Sequence, residues 1–155
     1  MRRKCLPAAA ATVAALALAA PSHAFLLPAE QALLREMNRV RAENGLAPFR
    51  VDSALERTAR AHSADMIRRD YFDHGPFGSR MQDAGARGPV FAENLAWGVG
   101  TKAAAAAIVR LWLRSPGHRT NLLRPGFHRV GIGAPRGEFL GRRGARVVTL
   151  DLAGT

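Results

Sequence analysis

The chain has 155 residues, one cysteine and a formal net charge of +11. That length argues for a single domain with a core large enough to hold it together. One cysteine excludes an internal disulfide framework. The arginines are scattered and do not interleave with aromatic residues, which argues against a nucleic-acid-binding surface.

The first 24 residues read as an export signal. Arg2, Arg3 and Lys4 form a positive start, and Leu6 to Ala20 is an apolar run too short to cross a bilayer comfortably. Pro21 breaks the run. Ser22-His23-Ala24 places small residues where a signal peptidase cuts, so cleavage is expected after Ala24. An uncleaved membrane anchor is the alternative. Cys5 precedes the apolar run and is not placed for lipidation. Cleavage removes Arg2, Arg3 and Lys4, lowers the net charge from +11 to +8, and leaves residues 25–155 with no thiol. The expected product is a secreted or periplasmic monomer with no integral membrane segment. Its charge suits solvated helix faces or attraction to lipid headgroups and wall polymers.

Pro28 to Asn44 has helical spacing, with Leu33, Met37 and Val40 on one stripe and Gly45 at the exit. Ser53 to Arg69 predicts a second helix, with Ser53 and Glu56 as a capping box. Leu55, Ala59, His62 and Met66 share its apolar face, which directs His62 into the core. Asp70 to Gly78 reads as a tight loop anchored by Tyr71 and Phe72, and it carries His74. Ser79 to Ala84 fits one helical turn, and Gly85 to Pro89 is loop. Glu93 to Gly100 reads as irregular or as a brief strand. Thr101 is a candidate cap for a helix reaching Arg114, rich in alanine from Ala103 to Ala107. Pro116 ends that helix. Val130, Ile132 and Ala134 alternate with polar or small residues as a strand does. Pro135 to Gly144 is turn-rich, and Ala145 to Leu152 is the returning strand. Helices followed by a terminal hairpin make an α+β chain, an antiparallel sheet covered by helices.

Three segments carry residues suited to chemistry. They are His74 in its loop, Glu93-Asn94, and Ser115-Pro116-Gly117-His118-Arg119-Thr120-Asn121. Gly117 would spare His118 from crowding, and His118 and Asn121 would share a helix face. Two imidazoles and one carboxylate are suitable zinc ligands. No compact motif such as His-Glu-x-x-His gathers them. Glu93, Asn94 and Asn121 read equally as groups that satisfy loop amides.

His62-Ser63-Ala64-Asp65-Met66, Tyr71-Phe72-Asp73-His74, Glu93-Asn94-Leu95-Ala96-Trp97-Gly98, Ser115 to Leu123 and Val130-Gly131-Ile132-Gly133 occur in one order and spacing. Together they resemble a bacterial CAP (SCP-like) domain over roughly residues 30 to 153. The resemblance implies an α-β-α sandwich with a central antiparallel sheet, occupying 25–155 as one domain. It also implies a cleft on which His74, Glu93 and His118 fall, with Asn94 and Asn121 beside them. Some members hold a divalent metal, often zinc, through the two histidines, and others bind lipids in separate grooves. The chain departs from the pattern in three places. Leu113-Arg114-Ser115 lacks a second acid, Ala92 stands where glycine is usual, and the disulfides of eukaryotic members are missing.

Three functions follow as expectations. One is a secreted binding module whose cleft takes a lipid, a cell-envelope polymer or a peptide. Another is a divalent-metal-dependent hydrolase of peptide or envelope material using His74, Glu93 and His118. The last is a basic protein that attaches to the envelope surface.

Overall fold

The computed structural model describes residues 25–154. The expected signal segment 1–24, with Cys5, lies outside the described residues. The elements run α1 (Pro28–Glu43), β1 (Arg50–Val51), α2 (Ser53–Arg69), α3 (Phe77–Asp83), β2 (Val90–Gly98), a 3-10 turn (Gly100–Ala103), α4 (Ala105–Arg114), α5 (Pro116–Leu123), β3 (Phe127–Gly133), β4 (Arg136–Phe139) and β5 (Arg142–Gly154).

The sheet is ordered β1-β3-β5-β2, with β4 paired to the start of β5. It is antiparallel except for the two-residue β1, which runs parallel to β3. Side chains of a strand alternate between faces, and β5 shows how the layers are divided. Val148, Leu150 and Leu152 join Val130 and Ile132 in a core with Leu33, Met37, Ile108, Trp112 and Leu122 of α1, α4 and α5. Thr149 and Asp151, on the other face, meet Ser63 and Thr58 of α2. Helices therefore cover both faces, and the architecture is an α-β-α sandwich.

Gly131 and Gly133 allow α2 to lie directly on the sheet. A Cβ at Gly131 would stand 1.9 Å from the Leu55 carbonyl carbon, and one at Gly133 would stand 2.3 Å from the Ala59 oxygen. Only glycine permits so close a backbone approach.

On the other face, Arg41 of α1 is buried with no acid beside it. Its guanidinium donates to the carbonyls of Ala47 (2.7 Å), Leu122 (2.8 Å), Phe127 (3.0 Å) and Arg124 (3.3 Å) and lies 4.0 Å above the Phe49 ring. This one side chain ties α1 to the end of α5.

Local readings are corrected in four places. The cap of α2 is Asp52, whose carboxylate accepts from the amides of Ala54 (2.9 Å) and Leu55 (3.2 Å), one residue before the expected Ser53. Glu93 is not in an irregular stretch. It sits mid-strand in the nine-residue β2, paired along its length with β5. The alanine run does not form one helix from Thr101, because a 3-10 turn ends at Ala103 before α4 begins at Ala105. Gly117 is not needed for clearance, since a Cβ there would meet nothing within 4 Å.

Candidate functional site

β2 forms one edge of the sheet, and adjacent residues on it point to opposite faces. Glu93 and Asn94 therefore work in different layers. Glu93 turns toward α2 and α3, and Asn94 turns toward α5. Each holds one of the two histidines.

On the first face, His74 Nδ1 lies 2.7 Å from Glu93 Oε1. A carboxylate can only accept, which assigns the proton to Nδ1 and leaves Nε2 as the unused ring atom. The other oxygen, Oε2, accepts from Arg80 Nη2, and Arg80 Nη1 donates to the His74 carbonyl. Arg80 of α3 thus grips both the histidine's backbone and its carboxylate partner. The His74 side chain remains 55% exposed above a Glu93 that is almost wholly buried.

His62 completes the support from below. Its Nε2 donates to the Asp73 carbonyl (3.0 Å) and fixes the residue before His74. The ring is buried beside Arg80, and these two causes push its pKa down to about 4. It is therefore neutral, and its 4.0 Å approach to Glu93 Oε2 is not an ion pair.

On the second face, Asn94 Nδ2 donates to the His118 carbonyl (3.1 Å), and Asn121 Nδ2 donates to Asn94 Oδ1 (2.9 Å). These amides bind each other and the α5 backbone, so they position His118. The His118 ring is half-buried. Burial pushes its pKa down, and the charge on nearby His74 pushes it the same way. The structure thus brings His74 and Glu93 into contact and ties His118 to the other face of β2 through Asn94.

The sequence reading missed Arg80 and Asp151. Asp151 is the cross-strand partner of Glu93 in β5 and is fully buried. Thr58 Oγ1 donates to its Oδ2. Burial pushes the Asp151 pKa up to about 8, and the neighbouring Glu93 charge adds to that. Asp151 Oδ1 is buried without a hydrogen-bond partner among the described residues. Burial also pushes the Glu93 pKa up, opposed by the Arg80 charge. One signal was visible: an aspartate inside the run Val147 to Leu152, whose only other polar residue is Thr149. Nearby, Asp73 Oδ1 accepts from the Gly75 amide at 2.6 Å.

Both Glu93 oxygens are engaged. Among the described residues, no three His, Cys, Asp or Glu side chains gather as a metal-holding group. A catalytic zinc centre uses three protein ligands and an open position, and here both Glu93 oxygens already have partners.

The profile of the CAP, cysteine-rich secretory protein, family matches residues 34–148. The chain belongs to that family. It is 36% identical over 110 residues to the uncharacterized protein YkwD of Bacillus subtilis, a match covering 67% of this chain and 41% of that protein. It therefore spans less than half the length of that relative. Among solved structures, an extracellular SCP-domain protein of Bacillus anthracis superposes with a TM-score of 0.66 at 26% identity, covering 81% of this chain and 40% of that one. An outer surface protein of Borrelia burgdorferi gives 0.65 at 20% identity, covering 81% and 92%. NaASP2, solved with Zn2+, gives 0.58 at 14% identity, covering 82% and 83%, and shares the fold alone.

Proposed function

We propose that the chain is an extracytoplasmic binding module whose ligand sits between His74 and His118 over the edge of β2. The observation that carries this reading is the commitment of Glu93. With one oxygen on His74 and the other on Arg80, it orients an imidazole and has no free oxygen to activate water. What remains for a ligand is a pair of histidines held by opposite faces of one strand. The extracellular and surface proteins that share the fold support export. Among the described residues, no helix is long and apolar enough to cross a membrane.

Histidine ring resonances provide the test. Wall fragments, short peptides and lipids are titrated into the chain from Phe25 onward. A ligand of the cleft shifts the His74 and His118 signals together, and its affinity is lost in the His74→Ala, His118→Ala double variant. If none of the three chemical classes moves both rings, the reading falls. Turnover of a peptide or wall fragment that requires the two histidines would favour the hydrolase instead.

A further inference from the structure

A second site lies on the far side of Trp97. Between Glu93 and Glu138 the chain carries seven arginines and lysines and no acid. Three of those cations, Lys102, Arg110 and Arg114, converge on a groove of about 380 Å³ that also includes Trp97, Ala107 and Leu111. The spacing of Ala107, Arg110, Leu111 and Arg114 places all four on one stripe of α4. Ile108, Val109 and Trp112 bury the opposite stripe in the core.

Two features separate this groove from an ordinary solvated helix face. None of its three cations makes an ion pair or hydrogen bond among the described residues. Glu36, the acid that feels the charge of Arg110, is already held by Arg39 at 2.7 Å. Leu111, 51% exposed, lines the groove together with Trp97 and the two arginines, so apolar and cationic surfaces face one space. The volume falls in the range of small-molecule sites, roughly 300–1,000 Å³, which combine apolar walls with a few charged anchors. Paired guanidinium forks match a carboxylate or phosphate head.

We infer that this groove binds an organic anion with a compact apolar body: its acidic head between Arg110 and Arg114, its body against Trp97 and Leu111, and Lys102 closing the rim. The site shares no side chain with the His74–His118 cleft, so it stands or falls independently of that reading.

2-Naphthoate is the probe, with uncharged 2-naphthalenemethanol as its control. Calorimetry should show the acid binding at least about tenfold more tightly than the alcohol, because a hydrogen bond to a charged group carries that much discrimination. Arg110→Gln with Arg114→Gln should remove the difference. Arg50→Gln with Arg87→Gln removes the same charge far from the groove and should leave binding unchanged. The two indole N–H resonances report location. Trp97 should shift, and Trp112, fully buried with its N–H on the Leu95 carbonyl at 3.0 Å, should not. Equal affinity for acid and alcohol would overturn the assignment. So would equal losses in both double variants, or binding to phosphatidylglycerol vesicles without binding to free naphthoate.

Discussion

Glu93 and Asp151 stand opposite each other in β2 and β5, two carboxyl groups buried in one layer. Arg80 and His74 serve the first, and only the Thr58 hydroxyl serves the second. This asymmetry decides which of them keeps a proton.

Asp151→Asn should therefore stabilise the protein at neutral pH. With a folded pKa of about 8 against an ordinary value of 3.8, Asp151 costs nothing below about pH 4. Its penalty grows as the pH rises toward 8, because the unfolded chain ionises first. Asparagine keeps the shape and can still accept from the Thr58 hydroxyl without that penalty. A gain on the order of 2 kcal/mol or more at pH 7, vanishing near pH 3, is expected from thermal melts across pH. Parallel melting curves for variant and parent would contradict it.

His62 works in the opposite sense. Its pKa falls from 6.5 to about 4 on folding, so the unfolded chain takes up the proton first and stability is lost as pH drops through that window. In the parent the two slopes oppose each other between about pH 4 and 6.5. His62→Gln, which can still donate to the Asp73 carbonyl, should expose the Asp151 slope and become more stable toward acid. Asp151→Asn should expose the His62 slope and become less stable toward acid. If the variants share one slope, one of the two assignments is wrong.

Arg80→Leu should cost about 3–5 kcal/mol, the usual penalty for leaving a buried charge without its partner. It should also release the His74 loop, because the same guanidinium holds the His74 carbonyl. Faster amide exchange across Asp73 to Gly75, with α1 unchanged, would distinguish this from general loosening.

Gly131→Ala should cost about 3 kcal/mol or more, because its Cβ would overlap the Leu55 backbone and no side chain can yield. Gly117→Ala meets only open space and should gain a few tenths of a kcal/mol up to about 1 from helix propensity. Chemical denaturation of both variants checks the pair.

Stoichiometric zinc should leave the melting temperature of the parent unchanged, since Glu93 already has two partners. A rise that disappears in the His74→Ala, His118→Ala variant would mean that Glu93 leaves Arg80 to become a third ligand.

The layers were legible because periodicity records burial. Leu33, Met37 and Val40, then Leu55, Ala59, His62 and Met66, lie where their spacing put them. Glu93 was read too loosely because two adjacent polar residues, Glu93 and Asn94, interrupt an apolar strand from Val90 to Trp97, which breaks the alternation that marks a strand. Asp151 and Arg80 were missed for a different reason. Their roles arise from pairing across the sheet and from the His74 loop lying against α3; Arg80 leaves no local pattern, and the aspartate in the last strand does not name its partner. His118 and His74 could be named as candidates, but that Glu93 and Asn94 would serve them from opposite faces follows only once β2 is known to be a strand.

Arg41 makes its four hydrogen bonds to peptide carbonyls, a group every amino acid carries. Positions 47, 122, 124 and 127 can therefore drift in identity without loosening its grip, whereas position 41 itself cannot. No carboxylate takes part, so neither acid nor brine should unfasten the clasp that seats the His118 helix. A fastening of that kind suits the extracytoplasmic role proposed above.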